Sequence, residues 1–260
     1  MSLEVLERHP KHASSRPPLL FVHGFWQAAW CWDEHLLQAM ADRGYDSYAV
    51  SLRGHGGSEG RIRGSSIDDY VADVAAVAAT LDDAPVVIGH SMGGFTTQHY
   101  LAGGHPAQAG ILVSTVPQRG AWKATLKAAR RHPGVFARIN ATLNVGPLVA
   151  TPELAHEFLF ASTFPRSEVA RYGERLEDAS YRAFLDLLLK RPDVGRISVP
   201  TLVVGGDADG FFDMVEWETT AAALGTNLVV LPGAGHEPML EPSWPELVDV
   251  IDEFVTNLAA

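Results

Sequence analysis

A chain of 260 residues, 47% hydrophobic and 20% charged, is long enough for one large domain or two small ones with a sizeable core. Its formal net charge of −11, with no basic cluster larger than Arg130-Arg131, excludes a nucleic-acid partner. The single cysteine, Cys31, excludes an internal disulfide framework and fits a reducing, cytoplasmic setting; Met1 to Pro18 lacks the apolar stretch of a secretory signal, and no run is long enough to span a bilayer.

Leu3 to Leu6 reads as a short edge strand, and residues 9–18, with three prolines, as a loop. Leu19-Leu20-Phe21-Val22 is a fully apolar strand followed by the loop His23-Gly24-Phe25-Trp26-Gln27. A helix is predicted from Trp32 to Arg43, stopped by Gly44. A strand over Asp46 to Ser51 runs into the glycine-rich loop Leu52 to Ser58. Ser66 caps a helix whose apolar repeat, Ile67, Tyr70, Val71, Val74, Val77, Ala78 and Leu81, gives one buried face. A strand over Val86 to Ile88, a helix from Gly94 to Ala102 and a strand from Gly110 to Ser114 follow.

From 116 to 196 the strand signals stop. Helices are predicted over Ala121–His132, Gly134–Asn144, Pro152–Ala161, Ser167–Glu177 and Tyr181–Lys190, so the stretch reads as a helical insertion. Strands return at Thr201–Val204 and Asn227–Leu231, with helices at Met214–Leu224 and Ser243–Leu258. Alternating strands and helices on either side of the insertion predict an α/β fold: a mostly parallel central sheet with helices on both faces, as one domain over 1–260.

The centre of this pattern is Gly89-His90-Ser91-Met92-Gly93, between a buried strand and a helix. A turn that sharp strains the residue at its tip, and glycines two residues away on either side let strand and helix pass closely. Ser91 Oγ would then project above the sheet at a helix N-terminus, where amide groups stabilise negative charge. An activated serine needs a base and the base needs an orienting acid. His236 follows the strand ending at Leu231, and Asp207 and Asp209 follow the strand ending at Val204, giving the chain order Ser, Asp, His. Asp209 lies further past its strand, where it can turn toward His236; Asp207 is placed to brace the loop. A calcium loop over Asp207, Asp209 and Asp213 fails, because Phe212 holds the position that needs glycine. No His-Glu-x-x-His or paired-ligand spacing supports a metal site. The oxyanion donors expected are the backbone N–H groups of Met92 and Phe25, with Gly24 keeping the backbone approachable. His23 and His90 read as loop-holding rather than as bases.

Together, Phe21-Val22-His23-Gly24, Arg53-Gly54-His55-Gly56-Gly57-Ser58, Gly89-His90-Ser91-Met92-Gly93-Gly94, Gly206-Asp207-Ala208-Asp209 and Gly235-His236 resemble an α/β-hydrolase fold enzyme over nearly the whole chain. The resemblance implies a Ser91–Asp209–His236 triad, an oxyanion hole from the Phe25 and Met92 amides, and a helical cap formed by 116–196. Ala29-Trp30-Cys31-Trp32 is similar to plant methylesterases and hydroxynitrile lyases, whereas Arg53–Ser58 and Ser91-Met92-Gly93-Gly94 look more like bacterial esterases and perhydrolases. Serine at 91 departs from the dehalogenases and epoxide hydrolases of this fold, which carry aspartate there. The expected activity is cleavage of a small-molecule carboxylic ester through an acyl-enzyme, with no cofactor. Trp26, Trp122, Phe158 and Phe164 are the expected pocket residues. Lactone, thioester or C–C bond hydrolysis and perhydrolysis use the same triad, and a non-catalytic binding member of the fold is the outlying alternative. Oligomeric state has no signature in the sequence.

Overall fold

In the computed structural model, which describes residues 1–12 and 14–258, the chain builds one seven-stranded sheet. In chain order its first elements are β1 (Val5–Arg8), β2 (Leu19–Val22), α1 (Trp30–Asp33), α2 (Leu36–Asp42), β3 (Ser47–Val50) and α3 (Ile67–Ala78). Next come β4 (Val86–His90), α4 (Met92–Ala102) and β5 (Ala109–Val113). Five helices follow: α5 (Trp122–Arg131), α6 (Pro133–Thr142), α7 (Pro152–Leu159), α8 (Arg166–Gly173) and α9 (Tyr181–Leu189). The chain then returns to the sheet with β6 (Thr201–Gly206), α10 (Met214–Ala223), β7 (Leu228–Leu231) and α11 (Trp244–Asn257). The strand order is β1-β3-β2-β4-β5-β6-β7; β1 pairs antiparallel at the edge and every other pair is parallel.

Every residue of β2, β4, β5 and β6 is buried, as expected for parallel strands covered on both faces. The α3 helix starts in a capping box: Ser66 Oγ accepts from Asp69 N, and the Asp69 carboxylate accepts from Ser66 N. Register aligns Val22 with Gly89, His90 with Val113, Val113 with Val204, and Gly206 with Leu231. The loops after β2, β4, β6 and β7 therefore leave one edge of the sheet together. That edge is where a parallel sheet gathers a site.

Three sequence expectations shift. The helix expected over Trp32–Arg43 is two helices broken at His35, whose φ of −141° leaves the helical region while its ring stacks on Trp244 at 5.0 Å. The helix expected to reach Glu177 ends at Gly173, because Glu177 N donates to Trp26 O at 2.7 Å and draws the chain toward the β2 loop. The edge strand begins at Val5 rather than Leu3, in register with Ser47–Val50.

Candidate active site

Ser91 sits between β4 and α4 with φ 52° and ψ −116°, a conformation that costs a non-glycine residue about 1–3 kcal/mol. Close packing enforces it. A Cβ on Gly89 would lie 2.3 Å from Gly93 O, and one on Gly93 would lie 2.4 Å from both His23 O and Val22 O. Strand, helix and β2 loop thus meet with no room for side chains. Ser91 N donates to Val113 O at 3.1 Å, and Ser91 O accepts from Phe95 N and Val116 N, each at 3.1 Å.

The three residues singled out by chain order come together. His236 Nε2 lies 2.9 Å from Ser91 Oγ, and His236 Nδ1 lies 2.6 Å from Asp209 Oδ2. The other Asp209 oxygen accepts from the N–H groups of Phe211 and Phe212 at 2.7 and 2.9 Å. Those two bonds fix the carboxylate, and the carboxylate in turn selects the Nδ1–H form of the imidazole, leaving Nε2 to accept from serine. Burial disfavours the charged ring of His236. The charge and hydrogen bond of Asp209 outweigh it, helped by Glu237 and Glu241, and its pKa stands above 6.5. Asp207 instead accepts from Gly233 N at 2.6 Å, tying the β6 loop to the β7 loop.

His23 and His90 hold loops. Leu52 N donates to His23 Nε2 at 3.0 Å, so Nδ1 carries the proton and donates to Gly24 O at 2.7 Å. His90 Nε2 donates to the His236 carbonyl at 2.8 Å. Burial, then the neighbouring histidine in each case, pushes both rings well below the usual range, so both stay neutral. A Cβ on Gly24 would lie 3.1 Å from Ser91 Cβ, which places the turn into Phe25 against the serine. Met92 opens α4, where amides have no intrahelical partner. Neither Phe25 N–H nor Met92 N–H donates to a backbone carbonyl among the described residues.

Ser91 opens into an apolar cavity. Its walls are Phe25, Trp26, Phe211 and Phe212 from the sheet-edge loops, and Val116, Ala121, Ala124, Thr125, Ala128, Phe136, Ile139, Val145, Leu148, Phe184 and Leu187 from the inserted segment. Of the four expected pocket residues, only Trp26 lines it. Trp122 is 54% exposed, and its Nε1 donates to Leu188 O at 2.8 Å. Phe158 stacks behind Phe211 at 5.1 Å. Phe164 stacks on Phe160 at 4.9 Å and on Tyr172 at 6.4 Å. Aromatic content alone cannot separate pocket from core. The usable signal was the small-residue stripe Ala121, Ala124, Thr125 and Ala128, which turns the volume-leaving face of α5 to the cavity. Phe211, whose ring meets His236 edge-on at 4.8 Å, was also missed.

Among the described residues, one group has metal-ligand types close together: His90, His236 and Glu237. Several of their polar atoms are already engaged, while His90 Nδ1 has no hydrogen-bond partner. His90 Nε2 bonds the His236 carbonyl, His236 bonds Asp209 and Ser91, and Glu237 Oε2 accepts from Gln27 Nε2 at 2.6 Å.

A mostly parallel sheet with a strained serine at a strand-to-helix elbow, and an aspartate and histidine from later loops, defines the α/β-hydrolase fold class. The family model described as alpha/beta hydrolase family matches residues 19–250, and the chain belongs to that family. It is similar to a non-heme chloroperoxidase of Streptomyces lividans, 40% identical over 103 residues that cover 38% of this chain and 37% of the relative. A non-heme haloperoxidase of Rhodococcus erythropolis is 28% identical over 254 residues, covering 87% of this chain and 88% of that one. Among solved structures, a thermophilic esterase of Thermogutta terrifontis superposes with a TM-score of 0.77 at 21% identity, over 99% of this chain and 94% of the esterase.

Proposed function

We propose that this protein is a serine hydrolase that cleaves a carboxylic ester with a small to medium, largely apolar acyl group. The observation that carries the reading is the hydrogen-bonded line Ser91 Oγ–His236–Asp209 at the floor of an apolar cavity. His236 Nε2 takes the serine proton as Ser91 Oγ attacks the acyl carbonyl. Asp209 holds the ring and stabilises its charged form. The oxyanion is held by the N–H groups of Phe25 and Met92, each worth about 100- to 1,000-fold in rate. His236 then gives its proton to the leaving alcohol. A water deprotonated by the same nitrogen releases the acid and frees Ser91. Residues 116–196 serve as a cap: their helices supply most of the cavity wall and so set which acyl groups fit. A small-molecule substrate, no cofactor and a cytoplasmic setting complete the reading.

A second reading is favoured by the relatives described as haloperoxidases. The same acyl-enzyme, attacked by hydrogen peroxide in place of water, gives a peracid and regenerates Ser91. Lactones and thioesters pass through the same intermediate, and a C–C bond hydrolase would use the same triad.

The test is a p-nitrophenyl ester series of increasing acyl length, with Ser91→Ala beside the parent. Hydrolysis by the parent, lost in the mutant, is the expected result; a rate unchanged by the mutation contradicts the reading. Peracid formed from the same esters with peroxide present would favour the second reading. A folded parent that no fluorophosphonate labels would point to a binding protein.

A further inference from the structure

The reaction above has no use for Glu237, yet its carboxylate is sealed beside it. Glu237 and His90 are each 1% exposed and Gln27 is fully buried; none of the three lines the cavity. Gln27 Nε2 donates to Glu237 Oε2 at 2.6 Å. His90 Nε2 lies 3.8 Å from the same oxygen while donating to the His236 carbonyl. One ligand-type atom from each of His90, His236 and Glu237 lies within 4.8 Å of the other two. A carboxylate placed this deep costs several kcal/mol unless a nearby positive charge or donors offset it. The only positive charge the reaction creates there is the imidazolium of His236.

We propose that Glu237 is a second carboxylate for His236, a positioning residue that, when ionised, stabilises the imidazolium formed as Ser91 loses its proton. His90, beside Glu237, also fixes the backbone of His236 by donating to its carbonyl. The inference rests on the serine-hydrolase reading. The groups that bear on Glu237 are His236 and Gln27, with Glu241 and Asp209 adding negative charge; Cys31 and the neutral His90 ring lie close by. Burial pushes Glu237 up to about 7, against the pull of His236 and Gln27, so carboxylate and imidazole titrate as a coupled pair.

The experiment is imidazole NMR titration of the full chain as parent, Glu237→Gln and Glu237→Asp, beside pH profiles of kcat/KM on a p-nitrophenyl ester. Removing an opposite charge at this range is expected to lower the proton affinity of His236 about tenfold in Glu237→Gln. The acid limb of kcat/KM then moves to lower pH and its plateau falls, while KM holds. Glu237→Asp, which keeps the charge, restores most of the shift. An unmoved His236 titration in folded Glu237→Gln, or equal shifts in both variants, overturns the proposal. Should Glu237→Gln fail to fold, Gln27→Met removes the donor and leaves the carboxylate. Glu237 then ionises at higher pH, and the rate lost near pH 7 returns by about pH 9; an unchanged profile overturns the proposal. Failure of the serine reading shows separately, as activity that survives Ser91→Ala.

Discussion

At the scale of single residues, strain is stored at Ser91, the proposed nucleophile. Ser91 is held at φ 52° by Gly89 and Gly93, whose missing side chains let β4, α4 and the β2 loop touch. Ser91→Gly removes about 1–3 kcal/mol of strain and returns part of it as unfolded-chain flexibility. The expected net is a gain of about 1 kcal/mol in urea denaturation, with esterase activity abolished. A loss of stability on this substitution would mean that the elbow is not strained. That Ser91, Asp209 and His236 would meet at one sheet edge was readable because each sits just beyond a strand that alternation and β-branched runs make visible. The partners of Asp209 were less so. Its oxygen is held by the amides of Phe211 and Phe212, a local turn that the sequence hints at only through an aspartate two and three residues upstream. Nothing in the spacing pairs Gln27 with Glu237, 210 positions apart.

At the scale of elements, the strands were legible and the inserted helices only as helices. Which face each of α5 to α9 turns inward is set by packing that periodicity does not encode, so Trp122, Phe158 and Phe164 were placed in a pocket they do not line. Trp122 faces out because α5 buries its alanines instead. The cavity's size depends on those alanines. Ala124→Phe, pointing bulk into the wall, is expected to shorten the longest acyl chain accepted by several carbons while short esters keep their rate within about threefold, since the reacting groups lie on other elements. A chain-length profile identical to the parent's would remove α5 from the acyl site. The break between α1 and α2 was equally invisible: it follows from His35 stacking on Trp244, a contact between distant parts of the chain.

At the scale of the whole molecule, buried ionisable groups of opposite behaviour set the pH response. Glu237 and Glu241 are pushed up by burial to about 7 from 4.5, so the stability tied to their protonated forms is present below 4.5 and is lost as pH rises through about 7. His236, raised above 6.5, acts in the same sense. His23, His55 and His90 are held down by burial from 6.5, His55 to about 4; their contribution is present above 6.5 and is lost as pH falls through their folded values. The two trends cross, and denaturation midpoints are expected to peak at about pH 6 to 7, falling on both sides. Midpoints that rise steadily to pH 9 would show that the buried carboxyls ionise without cost. Under the proposed mechanism a different limb governs activity: kcat/KM is expected to rise with pH as His236 loses its proton, with a midpoint above 6.5. The parallel sheet itself was legible from strand and helix alternation alone, because β2, β4, β5 and β6 are buried on both faces and read as continuous apolar runs.

The most direct measurement is mass spectrometry of the protein quenched during turnover of a p-nitrophenyl ester. The account predicts one added acyl group, on the peptide that contains Ser91, absent in Ser91→Ala and trapped longer in His236→Ala if any forms there. An acyl group on another residue, or steady turnover with no acyl group on Ser91 and undiminished activity in Ser91→Ala, would contradict it.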